Sequence, residues 1–262
     1  MSVNAKMKAI ADEIRAVTGE TDPLTLDDMA ENVPKVYEAG KKAEYDAFWD
    51  AYQQNGERVD YQLSFGGKGW NEHTFKPKYD IKPTNAYMMF YQMPTNANID
   101  LVKVAEEQGV VFDFSNCTNF HYVFYSSGIV RVGVIDTRRF NGFSQFAGAN
   151  NSLHTIEKLI LKDDGSQTIS NASWFLPNSI VNITIEGKLG YTARSSSSNM
   201  TKASIESFIN ALYEGSEGQT LTLSRTAVGK AFQSSEGAYD GISSDEWKTL
   251  VASKPNWTIS LV

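Results

Sequence analysis

Few residues in this chain are spaced for chemistry. The three histidines, His73, His121 and His154, lie far apart, and none belongs to a His-Glu-x-x-His run or sits beside paired cysteines. Zinc needs such spacing to gather its ligands, so no metal site is read here. The single cysteine, Cys117, excludes an intrachain disulfide framework and has no neighbour that would activate it as a nucleophile. Gly66-Gly-Lys-Gly69 has the glycines of a phosphate loop but lacks the Gly-Lys-Ser/Thr ending, and it reads as a turn. No Gly-x-Ser-x-Gly elbow marks a serine nucleophile. Asp163-Asp164 offers too few oxygens for the roughly six to eight ligands of calcium, and with Gly165 it suits a turn. Two well-placed carboxylates would suffice for a glycosidase, which leaves an enzyme open as the second reading. No catalytic, cofactor-binding or metal-ligating residue is assigned, and a non-enzymatic role is expected.

Composition sets broad limits. Of 262 residues, 41% are hydrophobic and 21% charged, which supplies a core and argues against wholesale disorder. A net charge of -7 disfavours nucleic acid and anionic membranes as partners. No apolar run approaches the roughly 20 residues of a membrane span, so no membrane insertion is expected. The opening Met1–Lys8 reads as the start of an amphipathic helix, not as a signal peptide. The Asn-x-Ser/Thr triplets at Asn116, Asn171 and Asn182 read as turn residues rather than glycan sites.

The elements that must position any site follow from periodicity. Met7, Ile10, Ile14 and Val17 predict a helix over 5–18, stopped by Gly19. Thr25 can cap a second helix, which Pro34 interrupts or restarts. From 35 to 54, Val36, Gly40, Ala43, Ala47 and Ala51 form a narrow small-residue seam bordered by Phe48 and Tyr52. Such a seam suits either a coiled coil between chains or a helix packed on its own domain. Residues 99–108, the stretch from Thr201, and Ser243–Val251 predict further helices.

Between the helices runs a recurrent pattern. In Leu153–Gly165 the aliphatic Leu153, Ile156, Leu159 and Leu161 end on a two-residue step, the period of a strand; the earlier steps suit a turn leading into it. Related endings occur at Ile129–Val134, Ile180–Ile185, Gly109–Phe114 and Gly218–Leu223. They lie about 20 to 27 residues apart, with a last gap of about 38, a spacing that predicts a solenoid. Its register would stack Phe112, Val132, Leu159, Ile183 and Leu221 in one inward column and Phe114, Val134, Leu161, Ile185 and Leu223 in the next. Asp113, Gly133, Ile160, Thr184 and Thr222 would point outward. Aromatics such as Phe140 and Trp174 would fill the opposite side, with Trp70, Trp247 and Trp257 in caps or core. The helix from Thr201 would replace the irregular back of a rung. The fold expected is α+β: N-terminal helices over 1–56, a connector and cap over 57–85, a solenoid of parallel strand rungs over 86–225 and a helical C-terminal cap over 226–262.

Ser115-Asn-Cys-Thr-Asn-Phe-His-Tyr-Val-Phe124, followed by the strand through Ile129, Val132 and Val134, resembles the BspA-like leucine-rich repeat. Phe120 stands where that family has leucine, and the usual Ile-Pro after the strand is missing. The flanks Ile10–Ile14, Thr18–Met29, Tyr45–Gly56 and Pro77–Ile81 resemble segments of tail-associated proteins from phages and prophages of Gram-positive gut bacteria. That resemblance implies a virion tail or baseplate component that is structural or receptor-binding. Its partners would be its own copies, with a trimer favoured by analogy with tail fibres, other tail proteins, and a host surface glycan or protein. No catalytic residue comes with it. A cell-wall-acting enzyme of the tail and a repeat scaffold for a protein partner are the competing readings.

Overall fold

The computed structural model describes residues 3–19, 21, 24, 26–141, 147, 150–166 and 176–262. The chain divides into two compact units, Met1–Glu57 and Arg58–Val262.

The first unit packs α1 (Val3–Thr18) against α2 (Leu26–Tyr52). Ala11 and Ile14 of α1 are buried, but Ile10 and Val17 are exposed, so the buried stripe is narrower than the periodicity predicts. The expected break at Pro34 does not occur: α2 is one helix through that position, although proline removes an amide there. At about 1.5 Å per residue, α2 is about 40 Å long and α1 about 24 Å. α2 is therefore the longer of the two, and Trp49 near its C-terminus is buried. Left-handed Asn55 and Gly56 end the helix.

The second unit corrects the predicted fold class. It is α/β, and its strands form two separate parallel sheets instead of one solenoid. The first has four strands in the order β1 (Ile99–Asp100), β2 (Ile129–Asp136), β3 (Thr155–Ile160) and β4 (Asn182–Glu186). The second has three: β5 (Ala193–Ser195), β6 (Gln219–Leu223) and β7 (Trp257–Leu261). The single inward column fails with them. Val132 pairs with Ile156, whereas Leu159 pairs with Ile135 and Ile185. Leu221 lies in the other sheet, between Ala193 and Ile259. Phe112 belongs to neither and bridges Ile81. Val134, expected inside, is 46% exposed.

Two physical causes account for the difference. The first is a bulge. Between Ile156 and Leu159 the strand β3 carries one residue more than β4 carries between Ile183 and Ile185. A bulge adds an unpaired residue and shifts side-chain direction. The three-residue step from Ile156 to Leu159 is thus inside the strand, whereas Leu153 lies in the irregular stretch before it.

The second cause is α4 (Lys202–Ala211), capped by the Thr201 hydroxyl. It packs against β4, not behind the rungs. Ser204 Oγ accepts the Ile183 N–H at 2.9 Å, and Ser207 Oγ accepts the Ile185 N–H at 2.7 Å. Serine hydroxyls one helical turn apart therefore satisfy alternate amides of the edge strand. An edge closed in this way offers no ladder to a fifth strand.

The remaining helices follow their caps. In α3 (Leu101–Gln108) the Asp100 carboxylate accepts from Val102 and Lys103, and left-handed Gly109 ends it. Ser224 and Ser244 cap α5 (Arg225–Ala231) and α6 (Asp245–Ala252). Three successive carbonyls, of Leu212, Tyr213 and Glu214, accept from Lys254 Nζ, Trp257 Nε1 and Asn256 Nδ2, at 3.3, 2.9 and 2.7 Å. These side chains line a shallow cavity of about 240 Å³ and tie the loop after α4 to the start of β7. Trp247 and Trp257 are buried, and Trp70 packs edge-on to Phe65 and Phe75; Trp174 lies outside the described residues.

Candidate functional site

The residues first suspected of chemistry are not brought together. His73 is exposed beside Glu72, and His154 is exposed with its ring 3.4 Å from the Thr155 hydroxyl. His121 is half-buried, and desolvation lowers its pKa. Cys117 is fully buried and donates to the Asn119 carbonyl at 3.2 Å; burial pushes its thiol up to about 11. A thiol held protonated in this way is inert near neutrality. Asp164 accepts the Ser166 N–H in a turn. Gly66 is pressed against the Tyr91 carbonyl, where a Cβ would come within 2.7 Å, so this glycine serves backbone packing. Asp100, Arg131 and Glu157 form an ion ladder across β1, β2 and β3. Among the described residues no group of three or more His, Cys, Asp or Glu could hold a metal ion.

Two exposed surfaces carry ordered aromatic rings instead. The first is the exposed flank of α2. Gly40, Ala43, Ala47 and Ala51 are all exposed, and Phe48 is 43% exposed. Phe48 stacks on Tyr52 at 5.4 Å and meets Trp49 edge-on at 5.3 Å, so the ring is held in place by its own helix. The side chain of Val36, the fifth member of the predicted seam, lies outside the described residues.

The second surface lies on turns that the strand pattern overlooks. Three segments, Tyr61–Gly67, Asn85–Gln92 and Asn119–Ser126, stack as irregular turns. The N–H groups of Tyr61, Leu63, Phe65 and Gly67 donate to the carbonyls of Asn85, Tyr87, Met89 and Tyr91. Those of Ala86, Met88, Phe90 and Gln92 donate to Asn119, His121, Val123 and Tyr125. Left-handed residues at Leu63, Met88 and Tyr122, and again at Gly67, Gln92 and Ser126, allow the repeated tight turns. Inward, Phe65, Phe90 and Phe124 stack at 5.2 and 5.5 Å. Outward, four half-exposed tyrosines form a cluster. Tyr91 stacks on Tyr125 at 5.5 Å, Tyr125 meets Tyr122 at 5.7 Å, and Tyr122 meets Tyr87 at 6.3 Å.

Comparison with protein-family models, with curated proteins and with solved structures gives no match.

Sequence reasoning missed the tyrosine cluster. Its signal was available: Asn-x-x-x-x-Phe-Tyr recurs at Asn85–Tyr91 and Asn119–Tyr125, with buried positions at three- and four-residue steps. The search for two-residue alternation reads past it.

Proposed function

We propose that the protein is a non-enzymatic component of a phage tail or baseplate, joining copies of itself through the first unit and displaying the second toward a host surface. The observation that carries this reading is the exposed flank of α2, with Gly40, Ala43, Ala47 and Ala51 exposed beside Phe48, a half-exposed ring held by Tyr52. Small residues let helices approach closely but bury little area, so more than one partner helix is needed to make the contact stable. A trimer meets that need. The tail assignment is supported by the resemblance of Ile10–Ile14, Thr18–Met29 and Tyr45–Gly56 to tail-associated proteins. Antibodies raised against the purified chain test it. Labelling of the tails of particles released on prophage induction is expected; labelling confined to the bacterial cell surface or cytoplasm refutes it.

A further inference from the structure

We propose that the cluster of Tyr87, Tyr91, Tyr122 and Tyr125 is a binding platform for a neutral sugar ring. The inference rests on the display reading above and names the ligand class that the second unit would present itself to.

Three observations select that ligand. The first is charge. Neither Tyr87–Gln92 nor Asn119–Ser126 contains an Asp, Glu, Lys or Arg, in a chain where 21% of residues are charged. The one titratable cation there, His121, is held neutral near pH 7 because burial lowers its pKa. These two segments offer an anionic or cationic ligand no charged side chain to pair with.

The second is the ring arrangement. The four rings support one another at 5.5 to 6.3 Å, so little side-chain freedom remains to be lost on binding. None of the four phenol oxygens has a hydrogen-bond partner among the described residues. Rings with apolar faces and free hydroxyl rims match a ligand that has apolar faces and a hydroxyl rim. The column that holds Tyr91 and Tyr125 also has a vacant position. In the first turn Gly66 follows Phe65 as Tyr91 follows Phe90 and Tyr125 follows Phe124, so it stands in their column, and it carries no side chain. A ring side chain is missing where the stack would continue.

The third concerns the backbone. The ladder between the turns uses the N–H groups of Ala86, Met88, Phe90 and Gln92 and the carbonyls of Asn85, Tyr87, Met89 and Tyr91. An extended peptide adds to a free edge of main-chain groups. The turn that carries Tyr87 and Tyr91 offers no such run on either edge, so recognition there must pass through side chains.

The test uses the full chain in titration calorimetry. Maltotetraose, cellotetraose and chitotetraose serve as neutral probes. A sialylated lactose, a heparin tetrasaccharide and a tyrosine-free decapeptide serve as controls. At least one neutral probe is expected to bind. Y91A and Y125A should each weaken it about tenfold or more. Y91F keeps the ring and should weaken it by less than about threefold. Y91L and Y125L keep an apolar side chain without the ring; with unchanged circular dichroism they should weaken binding about tenfold and carry the test if the alanine variants do not fold. The proposal is overturned if no neutral probe binds, if a charged probe or the peptide is preferred, or if folded variants lacking the Tyr91 or Tyr125 ring bind undiminished. Tail labelling is read independently, so a negative sugar result with labelled tails overturns this inference alone.

Discussion

Replacing Ser204 with alanine tests the account of why the first sheet stops at β4. Ser204 is 2% exposed, and its hydroxyl accepts the Ile183 N–H at 2.9 Å and donates to the Val181 carbonyl at 3.1 Å. Thr201 Oγ1 also lies 3.4 Å from the Val181 carbonyl, so that acceptor keeps a partner in S204A. The Ile183 amide does not. An orphaned buried donor costs about 1–3 kcal/mol, and the higher helix propensity of alanine returns about half a kcal/mol. A net loss of about 1–2.5 kcal/mol is expected. Ser207 offers a comparison within the same helix. It is half-buried, so water can reach the Ile185 amide, and S207A should cost under about 1 kcal/mol. Urea unfolding should move the midpoint of S204A down by about 0.4–1 M with an unchanged slope. Hydrogen exchange should show faster exchange at Ile183 in S204A and at Ile185 in S207A. Equal stability of S204A and wild type, or unchanged protection at Ile183, would refute the serine closure of the edge.

The other expectations concern association, packing and the thiol. Light scattering should show the full chain as an oligomer at micromolar concentration and A43E/A47E as a monomer with unchanged circular dichroism; a monomeric wild type counts against association. L159A, at a fully buried position paired to Ile135 and Ile185, should cost about 2–5 kcal/mol. V134A, at a position 46% exposed, should cost under about 0.5 kcal/mol in the same denaturation assay. Because burial raises the Cys117 thiol from its ordinary value of 9.0 to about 11, its stabilising contribution is complete below about pH 9 and is lost as pH rises toward 11. The folded protein should resist thiol alkylation at pH 8 and react after denaturation; fast reaction when folded would contradict the burial.

How much of this was legible in the sequence depends on which residue types carry each element. Helix ends were readable because capping residues act locally: Asp100, Thr201 and Ser244 each satisfy amides two or three residues away. The strands around Val132, Leu159, Ile183 and Leu221 were readable as strands, since a run of aliphatic residues needs burial whatever sheet receives it. Their register was not, because a bulge between Ile156 and Leu159 changes the side-chain period without changing composition. The closure of β4 was hidden for a different reason. Ser204 and Ser207 read as the polar face of an amphipathic helix, and only their position against Ile183 and Ile185 turns two hydroxyls into the end of a sheet. The tyrosines fall between these cases. Their spacing in Asn85–Gln92 and Asn119–Ser126 fixes which side of each turn they occupy, yet the rings meet only because the backbone ladder holds the two turns in register. A surface made by stacking two segments is therefore visible in sequence only once those segments are recognised as copies. The shared Asn, Phe and Tyr positions identify these copies better than the strand residues do, because the turn ladder fixes all three at once.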